Sequence, residues 1–156
     1  MTTSERAGNL FDYASGPKVK GKLESLIKQY SQDRENPTSL LNLKDEFNGL
    51  SFHLGEIVCK AKDILNTSSI EATNTFNHNY LKAREVINED GKKTTVESAK
   101  YRARLETSES YLIESQADIS YTMIREYKDV CRSYRDSIIQ RIAVLRDDIF
   151  SSRQQV

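Results

Sequence analysis

The sequence contains no glycine or proline after Gly91, so residues 92–156 lack both of the strongest helix breakers. No apolar run approaches the roughly 18 residues that a transmembrane helix requires, and we therefore expect no membrane partner. The opening residues, Met1–Arg6, lack the basic and apolar blocks of a secretory signal. These absences favour a cytoplasmic protein that is built mainly from long helices.

Residues suited to catalysis are also scarce. His53 and His78 are the only histidines, and neither has a cysteine or carboxylate nearby at the spacing of metal ligands. The segment Gly91–Thr94 has the sequence Gly-Lys-Lys-Thr but lacks the upstream glycine of a phosphate-binding loop. Asp147 and Asp148 are adjacent in a charge-rich stretch, where a solvated helix face is the simpler interpretation. The sequence therefore predicts a protein that is not an enzyme and has no catalytic residues, metal or cofactor.

The composition is that of a helical protein with thin cores. Hydrophobic residues make up 37% of the chain and charged residues 29%, and the net charge is zero. Because the chain as a whole has no net field, any binding to nucleic acid must come from a local patch. Cys59 and Cys131 lie among apolar neighbours at helical spacing, which predicts two buried free thiols in a reducing compartment.

The last third of the chain carries an apolar stripe at three- and four-residue steps, which places side chains on one side of a helix. A helix over residues 94–150 would be roughly 80 Å long. A second stripe flanks the first, and it consists of Leu105, Leu112, Ile119, Met123 and Val130. One protomer has difficulty covering both stripes, so we expect a homo-oligomer. The residues predicted to form its interface are Ile124, Tyr127, Cys131, Tyr134, Ile138, Ile142, Leu145 and Ile149.

Three earlier helices are predicted, at about residues 17–35, 38–66 and 69–89, after a flexible arm over residues 1–16. The second has an unbroken heptad stripe, formed by Leu40, Leu43, Phe47, Leu50, Leu54, Ile57, Ala61 and Ile64. In the third, the side chains expected to face inward are Ile70, Phe76, Tyr80, Ala83 and Ile87. The predicted fold is all-α: an elongated helical bundle or coiled coil in one domain, residues 17–156, with a long C-terminal helix.

Local signals mark the predicted helix boundaries. Gly16-Pro17 opens the first helix, and Thr38 or Ser39 caps the second. The polar cluster at residues 66–69 predicts a turn. Thr94 and Glu97 have the spacing of a capping box for the last helix, whose weakest segment is residues 106–110, where a bend would be unsurprising.

A basic cluster surrounds the turn before the last helix. Seven cations between residues 82 and 104 face four acids, Glu85, Glu89, Asp90 and Glu97, which leaves a charge of +3. Cations neutralise phosphates, and aromatic rings stack on unpaired bases. The candidate nucleic-acid-binding residues are Lys82, Arg84, Lys92, Lys93, Lys100, Arg102, Arg104, Tyr80 and Tyr101. The alternative is a polar hairpin that mixed charge keeps in solution.

A second basic row steps 3-4-3 along the last helix through Arg125, Lys128, Arg132 and Arg135. The row lies about 100° around the helix from the apolar stripe. Such flanking charges often pair with acids of a neighbouring helix and set its register. Contact with phosphate is the alternative.

Two segments together resemble the phage recombination mediators of the UvsY type. One is Lys82-Ala83-Arg84 with Gly91 and its basic neighbour; the other is Asp129-x-Cys131, Asp136-x-Ile138, Arg141 and Leu145. The resemblance covers about residues 76–150. In that family the Lys-Ala-Arg step is associated with DNA binding, which the resemblance carries to Lys82 and Arg84, and the second segment is similar to the assembly region.

The resemblance implies a non-enzymatic protein that oligomerises, binds single-stranded DNA and helps to load a recombinase. The implied partners are single-stranded DNA, a RecA-like recombinase and a single-stranded DNA-binding protein, in the host cytoplasm if the chain is phage-encoded. The alternative function is a coiled-coil structural or interaction protein, such as a virion component or an inhibitor of a host protein, without nucleic-acid binding.

Overall fold

A computed structural model describes residues 1–87 and 91–153, without the side chains at positions 149, 150, 152 and 153. Five helices account for most of this part: α1 (Thr3–Ser15), α2 (Pro17–Gln32), α3 (Pro37–Glu85), α4 (Val96–Glu106) and α5 (Ser108–Arg153). Within the described residues, the β-structure is an isolated antiparallel bridge between Ile87 and Lys93. The all-α prediction and the long C-terminal helix are therefore confirmed. The side chain of Ile149 lies outside the described residues.

The helices form two compact units, and one domain over residues 17–156 stays a prediction. Unit 1 contains Met1–Asp12 and Lys60–Tyr121, and unit 2 contains Tyr13–Cys59 and Thr122–Val156. Helices α1, α3 and α5 each contribute residues to both units, whereas α2 belongs to unit 2 and α4 to unit 1.

Residues 3–15 form a helix and not the flexible arm that the sequence predicted. A reciprocal cap begins this helix: the Thr2 amide donates to Glu5 Oε2 over 2.7 Å, and the Glu5 amide donates to Thr2 Oγ1 over 3.2 Å. This capping box satisfies two amides that a helix start leaves unpaired. Ala7, Leu10 and Ala14 follow at helical spacing and are buried.

The junction between α2 and α3 depends on one asparagine. The Gly16-Pro17 start of α2 is confirmed, with proline in the first turn. Asn36 caps α3, where the sequence predicted Thr38 or Ser39: its Oδ1 accepts from the amides of both residues, over 3.1 and 3.2 Å. The side chain that precedes Pro37 therefore pairs the first free amides of the helix.

Helix α3 continues through residues 66–69, so the turn predicted there is wrong. The Thr67 hydroxyl donates to the Asp63 carbonyl over 2.9 Å, and the Ser68 hydroxyl donates to the Ile64 carbonyl over 2.8 Å. Hydroxyls that bond four residues back satisfy themselves inside a helix and do not compete with it. Ser68 is buried, which shows that tertiary packing outweighs the weak local propensity.

The core of unit 2 comes from α2, α3 and α5. Most of the predicted heptad stripe is buried there, while Ile57 is half-buried. The ring of Tyr134 stacks on Phe47 with the centroids 5.4 Å apart, and it meets Tyr30 edge-on at 5.7 Å. Truncating a fully buried residue such as Phe47 typically costs about 3–5 kcal/mol.

The predicted assembly residues of α5 have a place inside this core. Ile124, Cys131 and Ile138 have no exposed surface, whereas Tyr127 and Tyr134 are half-buried, as are Ile142 and Leu145. The sequence did not anticipate this intramolecular role. A role in assembly stays a prediction for the partly exposed members, and the three buried side chains do not reach the surface.

The last helical region is interrupted at Thr107, within the segment identified as weak. Thr107 is buried; its hydroxyl donates to the Ala103 carbonyl over 2.6 Å and accepts from Asn79 Nδ2 over 3.2 Å. Its backbone angles end α4, and α5 begins at Ser108. The N-cap of α4 is Thr95, which accepts from the Ser98 amide, so the predicted capping box starting at Thr94 is wrong by one position.

Three burial predictions are also wrong. Ile70 and Ile87 are more than 60% exposed, although the sequence placed them inward. Cys59 is exposed, whereas Cys131 is buried as predicted, and burial raises the pKa of the Cys131 thiol to about 11. The two cysteines therefore differ strongly in accessibility.

Candidate nucleic-acid interface

The candidate interface lies in unit 1, where the chain leaves α3 and enters α4. Thr94 fixes the returning chain: its amide donates to the Val86 carbonyl over 3.1 Å, and its hydroxyl donates to the same oxygen over 2.9 Å. Gly91 has a φ of +74°, a conformation that favours glycine. Gly91 therefore lies within the connection between α3 and α4. Glu89 and Asp90, two of the acids counted above, lie outside the described residues.

Helix α4 turns an aromatic residue and three cations toward solvent. Its inner face is formed by the buried Ala99 and Ala103. On the opposite face Tyr101 is 66% exposed, and Leu105, one turn further on, is 56% exposed. The flanking cations are Lys100, Arg102 and Arg104, and all three are exposed. We call this set of five residues, 100–102, 104 and 105, the α4 face.

Helical spacing determines how the cations flank the ring. Lys100 and Arg104 are four residues apart and share one side of Tyr101, whereas Arg102 lies on the other side. None of the three forms an ion pair with another described residue. Glu97 is exposed one turn before Tyr101, and it is the acid of α4's first turn. Cations therefore outnumber acids around an exposed ring.

Three lysines near the connection are also available. Lys82 at the end of α3, and Lys92 and Lys93 before α4, are exposed. Among the residues that the structure describes, these lysines have no carboxylate within ion-pair distance. Glu85, three residues after Lys82, is also exposed and forms no ion pair with these lysines.

Two predicted DNA-binding residues are instead engaged within the protein. Arg84 is half-buried and donates from Nη1 to the Thr94 carbonyl over 2.6 Å, which ties the end of α3 to the start of α4. The ring of Tyr80 is half-buried and stacks on Phe76 with the centroids 6.3 Å apart. Arg84 therefore supports the connection, Tyr80 packs along α3, and Tyr101 presents the accessible ring.

The chain leaves part of the second stripe exposed, in agreement with the expectation that one protomer has difficulty covering both stripes. Of the second stripe, Leu105, Leu112 and Ile119 are 56%, 59% and 45% exposed. The signal was present, since these residues are seven apart along the chain. What the sequence could not indicate is which members would be exposed, since Met123 and Val130 of the same stripe are half-buried.

The second basic row lies on α5 in unit 2. Arg135 pairs with its neighbour Asp136 over 2.8 Å, and not with an acid of another helix. Lys128 and Arg132 form no ion pair with a described residue. The expected pairing with acids of a neighbouring helix is therefore not found for Lys128, Arg132 or Arg135.

Comparisons of the chain with protein-family models, curated proteins and solved structures found no match. Within the described residues, no group of three or more histidine, cysteine or acidic side chains is arranged to hold a metal ion. No helix in that part of the chain combines the length and the apolar content of a membrane span.

Proposed function

We propose that the protein is a non-enzymatic, single-stranded DNA-binding recombination mediator of phage type that acts as a homo-oligomer. The observation that carries the proposal is the α4 face, where Tyr101 stands exposed between Lys100 and Arg104 on one side and Arg102 on the other. Exposed aromatic rings next to cations are the combination that single-strand binding uses.

Each part of the α4 face has a role in this proposal. The ring of Tyr101 offers a π-face to any unpaired base, so it binds without reading sequence. Lys100, Arg102 and Arg104 neutralise phosphates and release counterions, which makes the affinity depend on salt. Lys82, Lys92 and Lys93 extend the positive surface around the connection.

Assembly is the second part of the proposal. The exposed apolar residues Leu112 and Ile119 on α5 are the side chains that a second copy would cover. Several weak strand-binding sites in one assembly bind far more tightly than one site alone. The implied partners, a RecA-like recombinase and a single-stranded DNA-binding protein, come from the resemblance of residues 76–150 to the mediator family.

The direct test is a titration of fluorescently labelled single-stranded DNA with the full chain. The proposal expects binding that prefers single strands over duplex and that weakens as salt increases. The variant Tyr101→Ala should lower affinity, while Tyr111→Ala should not. Tyr111 is a suitable control because it is an exposed tyrosine without a cation within four residues on its helix.

A second candidate function is that of a structural or interaction protein without nucleic-acid binding. The exposed apolar stripe through Leu105, Leu112 and Ile119 favours it, because such a stripe suits a protein partner. The two candidates differ in one measurement: an interaction protein would assemble or bind protein but would leave the labelled strand free at low salt.

A further inference from the structure

A groove in unit 2 is lined by three cations that lie outside the α4 face. Residues of α3 and α5 line this cavity of about 420 Å³. Lys128, Arg132 and Arg135 enter it from α5, and Phe52 and Glu56 line it from α3. We call it the basic groove.

The basic groove has more cations than acids. Glu56 is the one carboxylate among its lining residues. Arg135 is engaged by Asp136, but Lys128 and Arg132 have no ion-pair partner among the described residues. Three cations are therefore opposed by two acids, Glu56 and Asp136, and an anionic ligand would gain most from the two cations without an ion pair.

Gly55 shapes the floor of the groove. A Cβ atom at this position would lie 3.6 Å from Lys128 Nζ and 3.7 Å from Lys128 Cε, so the lysine lies along the bare backbone of α3. A glycine inside a helix costs about 1 kcal/mol relative to alanine. Here the missing side chain leaves room beside the lysine, within the groove.

Phe52 supplies the second type of contact. Its ring is 72% exposed, more than any exposed leucine or isoleucine side chain among the described residues. The ring borders the same cavity as Lys128 and Arg132. A solvent-facing ring beside unpaired cations suits a ligand that has both a flat apolar surface and a phosphate.

We propose that the basic groove is a second contact site for single-stranded nucleic acid, with phosphates on Lys128 and Arg132 and a base on Phe52. The ligand class rests on the proposed function, but the residues do not overlap with the α4 face. An acidic peptide would bind the same cations. It differs from a nucleic acid because it does not require the aromatic ring face of Phe52.

The test measures fluorescence anisotropy of labelled dT20 with the full chain over a range of salt concentrations. Lys128→Ala with Arg132→Ala should lower affinity at least about tenfold and reduce the salt slope by about 1.4, since each phosphate contact on a single strand contributes about 0.7. Glu56→Gln should act in the opposite direction and tighten binding. Lys28→Ala, which removes an exposed cation of α2 outside the groove, is the matched control and should change neither quantity.

Phe52→Leu tests whether a base stacks on the ring. Leucine keeps the apolar volume but removes the ring face, so binding of dT20 should weaken about fivefold or more if a base stacks there. Retained affinity for dT20 in this variant would overturn the stacking role of Phe52. Thermal melts of every variant show whether it is folded.

Cys59 provides an independent readout, because it lines the groove and is exposed, whereas Cys131 is buried. Saturating dT20 should slow maleimide labelling of Cys59 at least about fivefold if nucleic acid occupies the groove. Unchanged labelling at saturation would contradict the proposal even if the chain binds DNA elsewhere.

The outcomes separate the two proposals. If α4-face variants weaken binding while the groove variants leave affinity, salt slope and Cys59 labelling unchanged, the groove inference fails and the proposed function stands. If only the groove variants weaken binding, the groove is the strand site and the α4 assignment fails. If the wild-type chain does not bind dT20 at low salt, both proposals fail.

Discussion

Arg84 donates a hydrogen bond from Nη1 to the carbonyl oxygen of Thr94 over 2.6 Å, and through it the end of α3 holds the start of α4. Lys82, two residues earlier, is exposed and has no ion-pair partner among the described residues. The two cations of the Lys-Ala-Arg step therefore have different roles: Arg84 stabilises the connection, and Lys82 is exposed to solvent. A double variant would combine a structural effect with a binding effect, so the two must be changed separately.

Arg84→Ala should destabilise the protein, and Lys82→Ala should not. Removing a charged donor from a buried carbonyl acceptor typically costs about 1–3 kcal/mol, and the partial exposure of Arg84 places the expected loss in the lower half of that range. Lys82→Ala should stay within about 0.5 kcal/mol of wild type, as for most surface changes. Urea denaturation followed by circular dichroism measures both, and equal stabilities would contradict the role assigned to Arg84.

The two thiols should differ in reactivity. At pH 8 a thiol reagent such as dithionitrobenzoate should modify Cys59 quickly and leave Cys131 unmodified, since Cys131 is buried and its pKa is raised to about 11. Addition of denaturant should expose the second thiol. Rapid reaction of two thiols per native chain would contradict the burial of Cys131.

The raised pKa of Cys131 also predicts a dependence of stability on pH. The native thiol holds its proton more tightly than an ordinary thiol with a pKa of 9.0. The contribution of this protonated thiol to the free energy of unfolding is therefore complete below pH 9 and is lost as pH rises toward 11. The loss across this window is on the order of 2 kcal/mol. Cys131→Ala should lack this part of the decline, and identical pH profiles for the two proteins would contradict the prediction.

Gly49 should be replaceable at a gain in stability. It lies inside α3, it is exposed, and a Cβ there would meet no atom within 4 Å. Gly49→Ala should therefore raise the free energy of unfolding by about 0.5–1 kcal/mol through helix propensity alone. A loss of stability in denaturant titration would contradict this prediction and would indicate that position 49 contacts another molecule, such as a second copy of the chain.

The exposed stripe of unit 1 should determine the oligomeric state. We expect light scattering to give a mass above the 17.9 kDa of one chain, and to give a lower mass after Leu112→Glu with Ile119→Glu. Charges on a buried apolar interface are costly, whereas the same charges on a solvated face are not. A wild-type mass of one chain at every concentration would contradict the proposed assembly. It would also contradict the proposal that several sites in one assembly increase the affinity for DNA.

Much of the fold could be predicted from periodicity. The heptad stripe of α3 and the apolar stripe of α5 predicted the all-α class and many of the buried residues, because helical spacing reports directly which face is covered. The start of α2 at Pro17 and the weak segment near Thr107 were also correct. These features depend on local chemistry, which a sequence displays.

Prediction failed for three different reasons. The Thr2–Glu5 capping box is a local signal that was missed because residues 1–16 are mostly small and polar. The continuity of α3 at Ser68 depends on burial, which the polar cluster conceals. In the candidate site, the bond from Arg84 to Thr94 joins residues ten apart and has no sequence signature.

The most direct test of the central claim compares the variant Lys100→Ala with Arg104→Ala and Tyr101→Ala against wild type in a salt titration with labelled single-stranded DNA. The account predicts that the triple variant loses affinity at least about tenfold and that its salt slope falls by about 1.4, at unchanged thermal stability. Tyr111→Ala with Lys28→Ala, the matched surface changes, should leave both quantities at their wild-type values. Equal affinity and equal salt slope in the triple variant and wild type would contradict the assignment of the α4 face to single-stranded DNA.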